Sequence, residues 1–299
     1  MLNTARIPQG DLHSSWSLRD DVAQLLTAGT LKVPMLPQVA TEVLQAVGDD
    51  RCDASRLSGL IHKDPALAGR VLKIANSPLY MAKSPMVSLQ QAVSRLGFAT
   101  LTEIALAASV ESGVFQVPGM DAEIQMLWKV ALATAAFAKE IARLRRLNVE
   151  TAFLCGLLAD IGRPVVLQAA ADNAHKHELS ARDPSVKLQM LAVADEFAAT
   201  ATKVVVNKWD LPAAVQAAAS FRDAPGLAGP HAKDAAIASA ARTLALSLLR
   251  PPNDANAADP APPMHENAAF ALLNIYRDDA EGLVAKSELV KKAISGLSG

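Results

Sequence analysis

The side chains of this chain that could build a hydrolytic metal centre are its histidines and carboxylates. Such a centre needs imidazole and carboxylate groups that converge on a divalent cation, which lowers the pKa of a bound water. The six histidines are dispersed along the sequence, at His13, His62, His175, His177, His231 and His265. His175 and His177 are two residues apart, a spacing that does not bring two side chains together on a helix. The histidine pattern therefore predicts no metal centre.

Other kinds of functional site are equally poorly supported by the sequence. The two cysteines, Cys52 and Cys155, are far apart and have neither zinc-site nor disulfide-framework spacing. Cys155 lies in an apolar run and is expected to be a small buried hydrophobe. We find no glycine-rich phosphate loop and no Ser-His-Asp set. The formal net charge of −1 makes nucleic acid an unlikely partner, because broad nucleic-acid binding needs clustered Lys and Arg.

Composition and helix-start signals predict an all-α fold. Hydrophobic residues make up 51% of the chain and aromatic residues only 4%, and the abundant alanine favours helices. Asp53, Asp64 before Pro65, and Ser88 with Gln91 as a capping box are typical helix starts. The predicted helices cover residues 18–28, 38–47, 53–62, 66–75, 88–97, 101–114, 121–146, 150–158, 186–208, 212–221 and 232–249, with two more within 265–298.

Prolines and glycines between the predicted helices indicate the domain organisation. Val117-Pro118-Gly119 separates two helical halves, and a proline- and alanine-rich linker follows the last predicted bundle helix. The predicted parts are an N-terminal lead (1–30), an N-terminal helical subdomain (31–116), a helical bundle (117–224), its closing helix (225–250), the linker (251–263) and a helical tail (264–299). The sequence does not predict where the tail docks.

The sequence also suggests where the protein works. Residues 1–21 contain no apolar core of signal-peptide length, and charged residues such as Glu103, Lys129 and Lys139 interrupt the long apolar segments. We therefore expect a soluble, cytoplasmic protein that makes no membrane contact.

Two regions resemble the HDOD family, the HD-related output domain of bacterial signalling proteins. In the first half the resemblance rests on Leu36-Pro37, residues 61–67 (IHKDPAL), residues 74–80 (IANSPLY), residues 88–92 (SLQQA) and Leu96-Gly97. In the second half it rests on Leu127-Trp128, residues 152–162 (AFLCGLLADIG) and residues 209–212 (WDLP). Together they cover about Leu31 to Asp223. The resemblance implies one HDOD module, in which a helical subdomain joins a degenerate HD-phosphohydrolase bundle.

The resemblance also implies which residues stand where an active HD hydrolase holds its metals. Such enzymes use a first histidine, an adjacent His-Asp pair, later histidines and a final aspartate. The corresponding positions here are Val130, Ala159, Asp160, Ala198, Arg222-Asp223 and Ala241. No histidine lies near any of them, and only Asp160 remains of the His-Asp pair. The resemblance thus implies a protein that is not an enzyme, with no catalytic residue, no metal and no cofactor.

Asp160 then needs another explanation. The favoured interpretation is a hydrogen bond to backbone groups at the helix end before Gly162 and Pro164. The alternative is that Asp160 keeps a role in ligand binding.

A candidate interaction surface lies in the first half. Its residues are Asp64, Arg70, Lys73, Asn76, Ser77 and Tyr80. Helix initiation explains Asp64, and the end of a helix explains Asn76 and Ser77, without any function. The functional alternative is that a partner protein contacts these side chains.

Three functions remain open from the sequence. The favoured one is a non-catalytic regulator of bacterial signal transduction that contacts signalling proteins whose identity the sequence does not give, with self-association also open. The second is a metal-dependent phosphohydrolase in which Asp160, Asp223 and Glu196 supply unusual oxygen ligands. The third is a sensor in which the vacated metal pocket holds a nucleotide or another small molecule.

Overall fold

The structure is a computed structural model that describes residues 17–47, 53–77, 80, 84–114, 116–250 and 267–297. The elements in these ranges are helices, with no β-strand among them, so the predicted all-α fold is confirmed. Most of the N-terminal lead (1–16), the linker 251–263, His13, Cys52 and His265 lie outside the described residues.

Six helices form the first part of the chain. They are α1 (Leu18–Thr27), α2 (Gln38–Val47), α3 (Ala54–His62), α4 (Pro65–Ala75), α5 (Leu89–Leu96) and α6 (Phe98–Val114). The predicted N-caps are confirmed, because Asp53, Asp64 and Ser88 each accept a backbone N–H three residues later. The capping box is incomplete: the Gln91 side chain accepts from the N–H of Val87 rather than from Ser88.

The main packing partners of the first helix lie in the second half of the chain. α1 packs against α9 (Gly162–Lys176) and α10 (Pro184–Lys208), which belong to the second half. Arg19 on α1 donates two hydrogen bonds to Glu196 and lies 5.6 Å from the ring centroid of Phe197. α2 to α6 pack among themselves as the N-terminal subdomain. The lead is therefore attached to the bundle.

The bundle consists of α7 (Asp121–Arg145), α8 (Val149–Leu157), α9, α10, α11 (Ala213–Ser220) and α12 (Ala232–Leu249). Its central helix, α7, packs against α8 and α12, and buried alanines such as Ala133, Ala135 and Ala138 let these helices approach closely. α9 was absent from the predicted helices. Pro164 suggested a break, but it lies in the first turn of α9, where a proline is tolerated because the first N–H groups have no intrahelical partner.

The tail contains three helices within the described residues, one more than predicted. They are α13 (Ala268–Leu272), α14 (Arg277–Ala285) and α15 (Ser287–Leu297). α13 packs on α12, whereas α15 packs on α7 and also contacts α4 and α6. Arg145 pairs with Asp279 and Lys286 pairs with Glu140, which joins the tail to α7. The tail thus contacts both halves of the molecule.

One segment, Val149–Lys176, is long and apolar enough to pass a length-and-composition test for a membrane span. In the fold, 83% of its most apolar window is buried. That burial is typical of a segment in the core of a folded protein.

Candidate functional site

Asp160 lies at the junction between two bundle helices. α8 ends at Leu157, a turn covers residues 158–161, and α9 begins at Gly162. The N–H of Gly162 donates to Oγ1 of Thr202 at 2.9 Å, which attaches this turn to α10. The side chain of Asp160 is only 16% exposed, so its negative charge needs internal partners.

Those partners are three arginines from separate elements. Nη1 of Arg222, just after α11, lies 2.8 Å from Oδ1 of Asp160. Nη2 of Arg242, on α12, lies 3.1 Å from Oδ2. Nε of Arg163, on α9, lies 3.3 Å from Oδ2 as an ion pair. We call Asp160, Arg163, Arg222 and Arg242 the arginine cluster; its contacts show that the interpretation of Asp160 as a backbone-bonded helix end is wrong.

The arginine cluster occupies the place where the resemblance puts the metal. Arg222 stands at a predicted histidine position and Arg242 is one residue beyond a predicted ligand position. Val130, Ala159, Asp160 and Arg242 line one cavity of about 10 Å³. Guanidinium groups repel a divalent cation, and this volume holds at most about one water molecule. These residues therefore do not fit a catalytic metal, nor does the cavity fit a nucleotide.

The described residues contain no group of three or more His, Cys, Asp or Glu side chains arranged to hold a metal ion. The two further carboxylates considered as oxygen ligands are engaged elsewhere. Glu196 pairs with Arg19, and Asp223 pairs with Arg222 while its own side chain is 64% exposed.

The electrostatics of Asp160 follow from these contacts. Burial alone would raise the pKa of Asp160, but the charges of Arg242, Arg222 and Arg163 outweigh it and lower the pKa from 3.8 to about 2. The carboxylate is therefore ionised throughout the physiological range. The pKa of Arg222 is raised: burial opposes the rise, and the charges of Asp160 and Asp223 more than offset it.

This lowered pKa predicts an acid-sensitive contribution to stability. A carboxyl whose folded-state pKa is depressed stabilises the fold above its unfolded pKa and loses that contribution as the pH falls through the folded value. We expect Asp160 to contribute about 2 kcal/mol that disappears between about pH 4 and pH 2. Urea unfolding across this range, for the wild type and Asp160→Asn, measures the difference. A constant difference down to pH 2 would contradict the prediction.

Comparisons with known proteins identify the family to which this chain belongs. Residues 33–225 match the HDOD domain family. The chain belongs to the HDOD family. An uncharacterized protein of Treponema pallidum (strain Nichols) is 30% identical over 140 residues, which are 46% of this chain and 26% of that protein. The HDOD chain thus matches about a quarter of that relative's length.

Solved structures share the fold of this HDOD protein. An HDOD domain protein of unknown function from Geobacter sulfurreducens superposes with a TM-score of 0.66 at 18% identity, covering 93% of this chain and 97% of that one. A “Putative metal-dependent phosphohydrolase” from Shewanella amazonensis SB2B gives 0.65 at 20% identity, covering 93% and 98%. A “Putative signal transduction protein” from Marinobacter aquaeolei VT8 gives 0.65 at 22%, covering 94% and 66%.

Most residues of the candidate interaction surface of this HDOD protein have internal roles. Asp64 caps α4, and Nη1 of Arg70 donates to Glu111 at 3.2 Å. The Ser77 hydroxyl oxygen is buried with no hydrogen-bond partner among the described residues. Tyr80 is partly buried and lines a cavity between the two halves. Lys73 and Asn76 are exposed, but the Asn76 side chain bonds the backbone of Leu72 and Met86, so a surface for partners would be centred on Lys73 rather than on all six residues.

Asn76 connects α4 to the segment before α5. Its Nδ2 donates to the carbonyls of Leu72 and Met86, both at 2.9 Å, and its Oδ1 accepts from the N–H of Met86 at 2.6 Å. Asn76 is the C-cap of α4, at the place where the sequence predicts the end of this helix, but its backbone (φ −89°, ψ 3°) is not left-handed. No local sequence pattern indicates that the Asn76 side chain also bonds the segment before α5.

These contacts predict a stabilising role for Asn76. Asn76→Ala removes three hydrogen bonds and leaves the carbonyl and N–H of Met86 without this partner, so we expect the unfolding free energy to fall by about 2 kcal/mol. Chemical denaturation monitored by circular dichroism measures the change. Lys73→Ala, an exposed residue on the same helix, is the control and should change stability by less than about 0.5 kcal/mol.

The sequence did not single out Arg163 or Arg242. Arg242 is 82 positions from Asp160 along the chain, so no local pattern connects them. The one available signal was Arg222 at an expected histidine position, since a cation that replaces a metal ligand beside a retained aspartate suggests an ion pair.

Proposed function

We propose that this HDOD protein is a non-catalytic regulator that acts in signal transduction through contacts with other proteins. The observation that supports it most directly is the arginine cluster. Arg163, Arg222 and Arg242 satisfy the carboxylate of Asp160 at the place where a hydrolase of this fold would hold its cations. A site that guanidinium groups occupy has no position for a metal ion or for the water that the metal would activate.

Family membership supports the regulatory part of the proposal. The HDOD domain is the HD-related output domain of bacterial signalling proteins, and it spans 33–225 of this chain. A protein of the same fold is named for signal transduction.

The non-catalytic part is tested by metal analysis and an activity assay. Purified protein, incubated with Mg²⁺ or Mn²⁺, is assayed with bis-p-nitrophenyl phosphate, and bound metal is measured by mass spectrometry. We expect no turnover above the buffer rate and well under one metal per chain. Stoichiometric metal together with turnover that is lost in Asp160→Ala would establish the metal-dependent phosphohydrolase instead.

The protein-contact part is tested by affinity purification from a bacterial host. Lys73 is exposed on α4, inside the candidate interaction surface, and Lys208 is an exposed lysine near the end of α10. We expect a signalling protein to co-purify with the wild type and with Lys208→Glu, and to be lost from Lys73→Glu. Recovery of the same proteins by all three would contradict a partner surface at Lys73.

Cytoplasmic location and self-association belong to the same proposal. Cell fractionation is expected to place the protein in the cytoplasmic fraction, and light scattering coupled to gel filtration gives its mass in solution. Recovery in the membrane fraction would contradict the proposed location.

A further inference from the structure

A cavity of about 260 Å³ lies between the two halves and the tail, and no residue of the arginine cluster is among those that line it. α6, α7, α8 and α15 all contribute to its walls, together with Tyr80. Part of its wall faces solvent, since the lining residue Leu289 is 51% exposed, so the space is a partly open pocket. Its volume equals roughly nine waters at about 30 Å³ each.

One wall of the cavity is polar and has unused hydrogen-bonding capacity. Lys139 pairs with Glu103, whose side chain is only 10% exposed, and one carboxylate oxygen uses one of the three donors of the ammonium group. Within the described part of the chain, the hydroxyls of Tyr80 and Thr100 make no hydrogen bond. Burial raises the pKa of Glu103, although Lys139 opposes the rise.

Other lining residues are apolar, and some of them come from the tail. Leu132 and Phe153 come from the bundle, and Leu289 and Val290 come from α15. Nζ of Lys139 lies 5.7 Å from the ring centroid of Phe153, so the polar and apolar walls meet there. A molecule in this space would contact charged groups at one end and hydrocarbon at the other.

The charges on the walls limit what kind of molecule fits. The lining includes two carboxylates: Glu103 pairs with Lys139, and Glu140 pairs with Arg143 and also with Lys286 of the tail. A ligand with one charge would therefore meet both like and opposite charges. A ligand that carries an ammonium and a carboxylate on the same carbon atom can place each beside an opposite charge.

The volume limits the size. Sites for drug-sized ligands are typically about 300–1,000 Å³, and this cavity is slightly smaller. We propose that this cavity binds a small zwitterionic metabolite with an apolar side chain, that is, a free α-amino acid such as leucine. The site goes beyond the proposed function and does not depend on it, because a catalytic protein could contain it equally well.

The class of ligand is tested on the full chain by isothermal titration calorimetry with three related probes. They are L-leucine, 4-methylpentanoate, which lacks the amino group, and isoamylamine, which lacks the carboxylate. We expect L-leucine to bind with 1:1 stoichiometry and each single-charge probe to bind at least about tenfold more weakly. No binding of L-leucine, L-methionine or L-phenylalanine at 10 mM, a concentration of the order of weak metabolite affinities, overturns the proposal. Equal binding of the three related probes overturns the zwitterion argument.

The location is tested with variants in the cavity wall. Glu103→Gln should weaken L-leucine binding by about 10- to 100-fold, because a buried charged hydrogen-bond partner is lost. Glu123→Gln, which removes a comparable ion pair with Lys187 elsewhere on α7, is the matched control and should bind like the wild type. Ala293→Met adds side-chain volume to the cavity from α15 and removes no ion pair, so it should also reduce L-leucine binding. It is the second test of location if Glu103→Gln does not fold. Wild-type affinity in folded Glu103→Gln or Ala293→Met overturns the assignment to this cavity.

Discussion

Replacement of Asp160 by asparagine is expected to lower the free energy of unfolding by about 3 kcal/mol. The asparagine has nearly the same shape but leaves the charges of Arg163, Arg222 and Arg242 without their shared counter-charge. This loss of unfolding free energy is at the lower end of the range for breaking a buried ion pair, because Arg222 keeps its contact with Asp223. Urea unfolding at neutral pH, followed by circular dichroism, measures the loss.

Asp223→Asn is the matched control for this prediction. Asp223 contacts the same arginine, but its side chain is 64% exposed, and exposed ion pairs contribute about 0–1 kcal/mol. We expect Asp223→Asn to remain within about 1 kcal/mol of the wild type. Wild-type stability of Asp160→Asn would mean that the arginine cluster does not stabilise the fold, and it would remove the main support for the proposed function.

Substitution of Gly162 by alanine is expected to be similarly destabilising. A Cβ at this position would lie 2.2 Å from the backbone nitrogen of Thr202 and 2.5 Å from the carbonyl oxygen of Ala198. These are backbone atoms of α10, so they cannot move aside as a flexible side chain could. α9 and α10 would have to separate, and we expect the unfolding free energy to fall by about 3 kcal/mol.

The control for Gly162→Ala is a glycine that has space around it. Gly69 lies on α4, and a Cβ there would meet no atom of the described residues within 4 Å. Gly69→Ala should raise stability by roughly 0.5–1 kcal/mol, because alanine favours a helix more than glycine does. Thermal unfolding of both variants tests the pair. Equal effects would show that the close approach of α9 and α10 is not what requires glycine at position 162.

The sequence determined the features that depend on neighbouring residues. Asp53, Asp64 and Ser88 cap helices as predicted, because an N-cap bonds a backbone N–H only three residues away. The family was also identifiable from sequence, since its motifs are short blocks in a fixed order. The absence of histidine from the positions aligned with metal ligands needed no coordinates, because it concerns residue type alone.

The tertiary structure decided what depends on residues far apart in the sequence. Asp160 was interpreted as bonding its local backbone, but Arg222 and Arg242, 62 and 82 positions away, take its carboxylate. The sequence does not predict α9 for the same reason. Pro164 is typical of a helix break when only neighbouring residues are considered, but α9 tolerates this proline in its first turn and is stabilised by packing against α10. The cavity between the halves exists only because α15 returns to α6 and α7. Helix caps are local interactions, whereas ion pairs and cavities form between elements that only the folded chain brings together.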